Sequence, residues 1–350
     1  YNGDPRVPSK QAAQALLART YLVWGDNPLT AAQVADIANT QTDPEFTFNA
    51  NRLEKAIEYA DRVINSGKLA LASDFSKLYG RDYESNKLGQ NEHLFTIAHD
   101  GDKKDAQGNH QTHCSWTFPF QNGEHGEGYT QNHTEAADDD VYDSWLAEYP
   151  NDKRLAKTYF VELTNPETGN KHVYYSPVYT PINGKGVDQS YEDAENLEIT
   201  QNSVDRIEIR YAEVLLIKAE ALVQLGRNQE AAEPFNQLRR RAGIETVAAP
   251  TFDQIKREWD YEFTYEQFSV LNSYRWKDLV SSVKKVSTYK HFADDWESKQ
   301  TYTADQKAYF EKVHNHLKAK YNNVRGKHYR QPIPTGLRGE DLGIAQNPGY

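Results

Sequence analysis

The sequence predicts a mostly α-helical protein with irregular loops and small β-segments. Residues 207–225 are apolar on nearly every side, but charged residues interrupt them before they reach a membrane-spanning length. Residues 12–22 and 51–64 repeat apolar side chains at helical spacing. Residues 171–178 alternate enough to predict a short strand. We therefore expect a helical scaffold around one buried central helix.

The first predicted helix follows Ser9, a residue type that caps helices by accepting a backbone hydrogen bond. Its apolar positions lie within 12–22, and Asp26-Asn27-Pro28 ends it. Residues 30–39 predict a short extra helix, and 40–49 predict a loop. The chain then returns to helical spacing.

Two helix pairs, at about 12–64 and 207–241, have the small-residue pattern of tetratricopeptide (TPR) repeats, whose antiparallel helices approach closely. Gly226 is expected to end the central helix with a left-handed cap. Asn228 is expected to cap the helix that follows. Pro234 lacks a backbone donor, so we expect a distorted first turn or a late start in that helix.

Two further helices and one strand are predicted elsewhere. Residues 138–145 restart a helix with an acidic first turn, which suits the positive end of the helix dipole. Residues 252–265 predict another helix. The strand at 171–178 lies between them and is bounded by prolines and a glycine.

Length and composition exclude several classes of function. The chain has 350 residues, of which 38% are hydrophobic, enough for one large or two modest domains. The formal net charge is −11 and no basic stripe stands out, which argues against a nucleic-acid partner. The single cysteine, Cys114, excludes an internal disulfide and a four-thiolate zinc site. We expect no cofactor.

Motifs spread along the chain resemble, in the same order, those of the SusD/RagB family. Asn91-Glu92-x-Leu94-Phe95-x-Ile97 resembles a strand motif of the family, and Arg210-Tyr211-Ala212-Glu213 resembles the motif before its central helix pair. The matching stretches are 6–22, 54–71, 91–97, 152–154, 210–213, 236–243, 257–266, 331–334 and 346–350, and a further motif at 275–279 comes several residues later than in the family. The resemblance therefore implies a SusD-like fold with a small β-segment at 94–97.

The resemblance also implies a role. Members of the family are outer-membrane lipoproteins of Bacteroidota that deliver glycans, or sometimes peptides, to a TonB-dependent transporter of the SusC type. We therefore expect a single SusD/RagB-like domain over 1–350 that lacks the family's N-terminal part and binds glycan at the cell surface without catalysis. The complete precursor is expected to carry a secretory signal and a lipidated cysteine upstream of Tyr1, which supplies the lipid anchor.

Two other classes of function stay open as alternatives. Glu258, Glu262 and Glu266 share one helix face, and Glu262 or Glu266 could serve a glycoside hydrolase. Carboxylates on successive turns of one helix more often form a solvated or arginine-paired face, which we favour. Arg210 is likewise expected to pair with Glu213. The second alternative is a TPR adaptor that binds protein tails.

Metal-binding and nucleophilic residue types occur, but their context does not favour a site. His110-x-x-His113-Cys114 lies in a glycine-rich stretch without an acid–histidine motif, so we expect no transition metal. Asp138-Asp139-Asp140-x-x-Asp143 lacks the glycine turn and distal glutamate of an EF-hand, which favours helix capping over calcium. Ser115 lacks the glycine elbow of a serine hydrolase.

The long stretch 100–131 is the predicted binding region, because long turn-rich segments of compact domains are usually functional or disordered. Exposed aromatic rings stack on the C–H faces of sugars, and nearby amides bind hydroxyl groups. The expected ligand-binding residues are Trp116, Tyr129, Trp145, Asn122 and Asn132. The alternative is that these rings only anchor the loop to the domain. The helix period from Val141 would equally place Trp145 in the core.

Overall fold

The computed structural model describes residues 1–79, 91–97, 100–104, 110–111, 139–160, 162–164, 171–173, 182–185, 206–266, 268–286, 288, 304–332 and 346–349. Helices dominate this part of the chain, which confirms the predicted fold class. The α-helices are α1 (Lys10–Gly25), α2 (Ala31–Ile37), α3 (Ala50–Ile64), α4 (Asp139–Glu148), α5 (Leu155–Thr158), α6 (Tyr211–Gln224), α7 (Asn228–Ala242), α8 (Phe252–Phe263), α9 (Phe268–Trp276), α10 (Leu279–Val286) and α11 (Ala304–Asn322). Short 3-10 helices lie at Phe75–Tyr79 and Gly326–Tyr329.

The β-structure consists of small antiparallel strand pairs. The pairs are β1 (His93–Ile97) with β8 (Arg206–Arg210), β2 (Asp100–Lys104) with β3 (His110–Gln111), β4 (Tyr159–Phe160) with β7 (Ile182–Asn183), and β5 (Glu162–Thr164) with β6 (Lys171–Val173). The strand expected at 94–97 is confirmed by β1. The strand expected at 171–178 is confirmed over 171–173, and 174–178 lie outside the described residues.

Contacts divide the chain into two compact units. The first comprises Tyr1–Leu22 and Ala50–Glu266, and the second comprises Val23–Asn49 and Gln267–Tyr350. The expectation of a single SusD/RagB-like domain over 1–350 stays a prediction. Each unit has its own buried residues.

Helix α6 forms the centre of the first unit, as predicted. Every residue from Tyr211 to Ile217 is buried, and the helix packs against α3, α7 and α8. Gly226 follows it with a φ of 76°, the left-handed conformation predicted for this glycine. Neither α6 nor any other helix in the described part of the chain is long and apolar enough to cross a membrane.

Helix α7 corrects two expectations. It begins at Asn228, so Asn228 is the first helical residue and not the cap, and its side-chain amide donates to the carbonyl oxygen of Pro250 at 2.8 Å. The helix then continues through Pro234 to Ala242, so the predicted late start is wrong. The backbone donor that Pro234 lacks would meet the carbonyl of Glu230. Glu230 is exposed, and water can therefore hydrate that carbonyl.

Helix α1, as far as Leu22, and helix α3 belong to the first unit, and their predicted arrangement as a TPR-like pair stays a prediction. Ser9 caps α1, as predicted, because its hydroxyl accepts a hydrogen bond from the backbone N–H of Ala12 at 3.1 Å. The rings of Tyr21 and Tyr59 stack with centroids 5.6 Å apart. The apolar face of α3 is buried over Leu53, Ala56, Ile57, Ala60 and Val63.

The second unit contains the predicted extra helix, α2, which Thr30 caps through a reciprocal bond with Gln33. Asp43 caps α10 from a distant part of the sequence, since its carboxylate accepts from the backbone N–H of Val280 at 2.7 Å. The hydroxyl of Tyr329 donates to the same carboxylate at 2.6 Å. These polar contacts border an apolar cluster formed by Val34, Leu279, Val280, Val324 and Tyr329.

Candidate functional site

Most of the predicted glycan-binding residues lie outside the described part of the chain. Trp116, Asn122, Tyr129 and Asn132 belong to this group, and so does the stretch 113–115. Their assignment stays a prediction. The side chains of 138–140, three of the four possible calcium ligands, also lie outside the described residues. Among the side chains that are described, no group of three or more potential ligands could hold a metal ion.

Trp145 is described, and the structure corrects its assignment as a ligand-binding residue. Its side chain has no exposed surface. The indole Nε1 donates to Asp152 Oδ2 at 3.0 Å, and the ring stacks on Tyr261 with centroids 4.5 Å apart. Leu155 and Tyr159 complete the apolar cluster around it. Helix α4 therefore turns Trp145 into the core, where its ring offers no face to a sugar.

Buried charged side chains are the main chemical feature of the first unit. We call ten of them the ion cluster: Arg154, Lys185, Arg210, Arg239, Arg241, Glu92, Asp152, Glu258, Glu262 and Glu266. Five are cationic and five are acidic, so the formal charges balance. This balance matters because a buried charge without a partner costs much free energy.

Helix α8 and the turn after it supply three of the acids. Thr251 begins this helix with a capping box that involves Gln254. A spacing of four residues then places Glu258 and Glu262 on successive turns of one side. Glu266 does not share this helix face as expected, because the helix ends at Phe263 and Tyr265 has a φ of 67°. The carboxylates of all three face arginine or lysine side chains that come from other parts of the chain.

Glu262 lies at the centre of the ion cluster and accepts hydrogen bonds from three arginines. The Nη1 atom of Arg154 lies 3.0 Å from its carboxylate, and Arg210 and Arg241 donate to its other oxygen. Burial alone would raise the pKa of Glu262, but the charges of Arg241, Arg210 and Arg154 outweigh burial and lower the pKa far below its usual range. The carboxylate therefore stays ionised.

Arg154 joins the segment after α4 to helix α8. Its Nη2 atom lies 2.7 Å from Asp152 Oδ2, and its Nη1 atom lies 2.5 Å from Glu258 Oε1. Arg154 and Asp152 have no exposed side-chain surface. Because Asp152 also accepts the indole proton of Trp145, this arginine links the buried aromatic cluster to the carboxylates of α8.

Lys185 borders the ion cluster at Glu266. Its Nζ atom donates to Glu266 Oε1 at 2.7 Å and to the carbonyl oxygen of Glu262 at 2.9 Å. It also lies 5.2 Å from the ring centre of Phe75 and 5.3 Å from that of Tyr79. Burial lowers the pKa of Lys185 to about 8, although the charge of Glu266 opposes this effect.

This geometry contradicts the glycosidase alternative built on Glu262 and Glu266. A general acid must hold a proton, whereas cationic neighbours lower the pKa of both carboxyls despite their burial. The expectation of a solvated or arginine-paired face is confirmed in its second form, because arginines pair with all three carboxylates. The predicted pairing of Arg210 with Glu213 is wrong, because Glu213 accepts from Arg19 Nη2 at 2.6 Å and Arg210 belongs to the ion cluster.

The ion cluster was not predicted as a unit from the sequence. Nine of its ten members lie in the stretches that carried the family resemblance, and Lys185 is the exception. The available signal was the recurrence of charged residues inside otherwise apolar stretches, as at Glu92 before β1 and Arg210 before α6. Such residues are seldom fully buried unless they are paired.

Comparison with known proteins identifies the family. A sequence model of the SusD family matches residues 65–350. The chain belongs to the SusD family. It is 31% identical over 157 residues to SusD-like protein P38 of Formosa agariphila, a match that covers 41% of this chain and 30% of that protein.

Solved structures show the same fold. A SusD homologue of Bacteroides thetaiotaomicron matches at a TM-score of 0.68 and 19% identity, over 100% of this chain and 65% of that one. Surface glycan-binding protein A of the same species, in complex with laminarihexaose, matches at a TM-score of 0.58 and 17% identity, over 99% of this chain and 66% of that one. The chain thus spans between 30% and 66% of the length of these relatives.

Proposed function

We propose that this protein is the glycan-binding component of a TonB-dependent uptake system at the cell surface. It delivers oligosaccharide to a partner transporter of the SusC type, and a lipid anchor holds it at the outer membrane. The observation that carries the proposal is membership of the SusD family over residues 65–350. The fold similarity to a surface glycan-binding protein in complex with laminarihexaose supports a glycan as the ligand class.

The proposed contacts come from Trp116 and Tyr129, with hydrogen bonds from Asn122 and Asn132. An aromatic ring contributes only about 1 kcal/mol beyond area burial, so binding by a few rings is weak and tolerates variation in the sugar. Trp145 is no longer part of this proposal, because it is fully buried. The ion cluster plays no direct part in it either, since its side chains are almost entirely enclosed.

The glycan part of the proposal is tested by calorimetry with a panel of oligosaccharides that includes laminarihexaose. We expect binding to wild type and a clear loss of affinity in Trp116→Ala. Trp24→Ala is the matched control, because Trp24 is 48% exposed and lies outside the predicted binding region. Undiminished affinity of a folded Trp116→Ala protein would place the site elsewhere, and binding of peptides but not of sugars would favour the alternative ligand class.

The transporter part is tested separately. The full-length protein, purified from detergent-solubilised outer membranes, is expected to carry a TonB-dependent transporter that mass spectrometry identifies. A mild wash at high salt should leave this complex intact if its interface is large. Purification without a transporter would contradict this part of the proposal and leave the glycan part standing.

A further inference from the structure

An open groove of about 590 Å³ lies between α10 and α11 in the second unit. Its apolar surface includes Val283 and Val324, and its polar surface includes His316, Lys320 and Asn323. Volumes of about 300–1,000 Å³ are typical of small-molecule sites. The groove therefore has the size to hold two or three sugar units.

Helix α11 presents part of the polar side of the groove. His316 and Lys320 are four residues apart, which places them on one face of the helix, and Asn323 directly follows its last residue. All three are exposed. His328 lines the groove from the chain after α11. Its Nδ1 atom lies 2.9 Å from the backbone nitrogen of Arg325 and 3.0 Å from the carbonyl oxygen of the same residue, and these contacts fix the position of the ring.

The segment that supplies most of the groove's lining is positively charged, opposite to the whole chain, and Lys320 is its cation in the lining. Residues 304–332 contain seven lysines and arginines against two acidic residues, whereas the chain carries a net charge of −11. The last turn of α10 adds Lys284 and Lys285. Arg325 and Arg330 donate to backbone carbonyl oxygens at 3.0 Å, and these uncharged partners leave the positive charge in place.

We propose that this groove binds an anionic oligosaccharide. Its carboxylate or sulfate groups pair with Lys320 and accept a hydrogen bond from His316, while the C–H faces of its sugars lie on Val283 and Ala319. Charge complementarity favours this class over neutral glycans, because bonds to charged groups are about twice as strong as neutral ones. These residues are different from Trp116 and Tyr129, so the inference goes beyond the proposed function.

The test is calorimetry on the full chain with two probes of equal length, tetragalacturonate and the neutral laminaritetraose, followed by a sulfated tetrasaccharide. We expect the anionic probes to bind more tightly to wild type, and their affinity to fall as salt is raised. Lys320→Gln should lower anionic affinity about tenfold, which is the order expected for one charge-assisted bond. Lys10→Gln removes the same charge from an exposed position that does not line the groove, so it should leave the affinity for the anionic probes unchanged.

Each result decides the inference. Equal affinity for charged and neutral probes, an unchanged affinity in Lys320→Gln, or an equal loss in Lys10→Gln overturns it. A response to carboxylated but not sulfated probes supports it and narrows the ligand. If Trp116→Ala loses neutral glycans while Lys320→Gln binds anionic ones normally, the proposed function stands and the groove inference fails. The reverse pattern supports the groove and contradicts the site of the proposed function.

Discussion

Glu262 accepts a hydrogen bond from Arg154 at 3.0 Å, and neither side chain has any exposed surface. Replacement of Glu262 by glutamine keeps the volume but removes one negative charge from a balanced buried cluster. Loss of one partner of a buried ion pair costs about 3–5 kcal/mol. We expect Glu262→Gln to lower the free energy of unfolding by this amount, as measured by urea denaturation followed by circular dichroism.

The control for this measurement is Glu233→Gln. The carboxylate of Glu233 also pairs with an arginine, Arg240, at 2.7 Å, but its side chain is 70% exposed. Exposed pairs contribute little because water and salt screen them. A loss of stability in Glu233→Gln as large as that in Glu262→Gln would contradict the role assigned to burial.

The lowered pKa of Glu262 predicts how the free energy of unfolding depends on pH in acid. The pKa of Glu262 is lower in the folded protein than its usual value of 4.5, so the folded state binds fewer protons than the unfolded state as pH falls. The resulting stabilisation is fully present above pH 4.5 and is lost as pH falls below it. Urea midpoints should therefore decline in acid, and the decline should be shallower in Glu262→Gln. Parallel declines would contradict the prediction.

The lowered pKa of Lys185 predicts that the free energy of unfolding changes at alkaline pH. Its pKa is about 8 in the folded protein, against a usual value of 10.5. Between these values the unfolded state binds more protons, so stability should rise with pH from about 8 to 10.5. Lys185→Met should flatten this rise in urea titrations, whereas Lys10→Met, at an exposed position, should keep it. An equal slope in both variants would show that Lys185 is not its source.

Helix positions could be predicted because local chemistry sets them. Ser9 caps α1 through its own hydroxyl, and Gly226 closes α6 because glycine adopts a positive φ without strain. The burial of α6 followed from its nearly continuous apolar surface. Pro234 was misjudged because a local rule about proline does not include the packing of α7 against α6, which holds the helix together around it.

The ion cluster could not be predicted in the same way, because its partners are far apart in sequence. Arg210 and Glu92 are separated by 118 residues, and Arg154 and Glu262 by 108. Spacing along a helix reports only neighbours within one or two turns, so the sequence suggested Glu213 as the partner of Arg210. Only the folded chain shows which distant charges meet.

Hydrolysis of glycans is not expected. The candidate carboxylates, Glu262 and Glu266, are held ionised by cationic neighbours, so neither can supply the proton that a leaving sugar needs. Incubation with plant and mucin glycans should release no reducing ends from wild type, measured against a buffer blank. Turnover that disappears in Glu262→Gln, while the variant stays folded, would overturn this conclusion.

Variants of Trp145 test whether this residue stabilises the fold or binds the ligand. It is fully buried, stacks on Tyr261 and donates to Asp152, so Trp145→Ala should lower the free energy of unfolding by about 3–5 kcal/mol. Trp145→Phe keeps an aromatic ring but removes one of the hydrogen bonds that Asp152 Oδ2 accepts, at a cost of about 1–3 kcal/mol, and Arg154 still donates to this oxygen.

Calorimetry on the folded Trp145→Phe variant completes this test. Because its ring is enclosed by protein, we expect the glycan affinity of Trp145→Phe to equal that of wild type, while Trp116→Ala loses affinity. Helical periodicity alone could not distinguish these roles, since the face that α4 turns inward depends on distant residues such as Tyr261. If a folded Trp145→Phe protein no longer binds glycan, Trp145 is a ligand-binding residue after all.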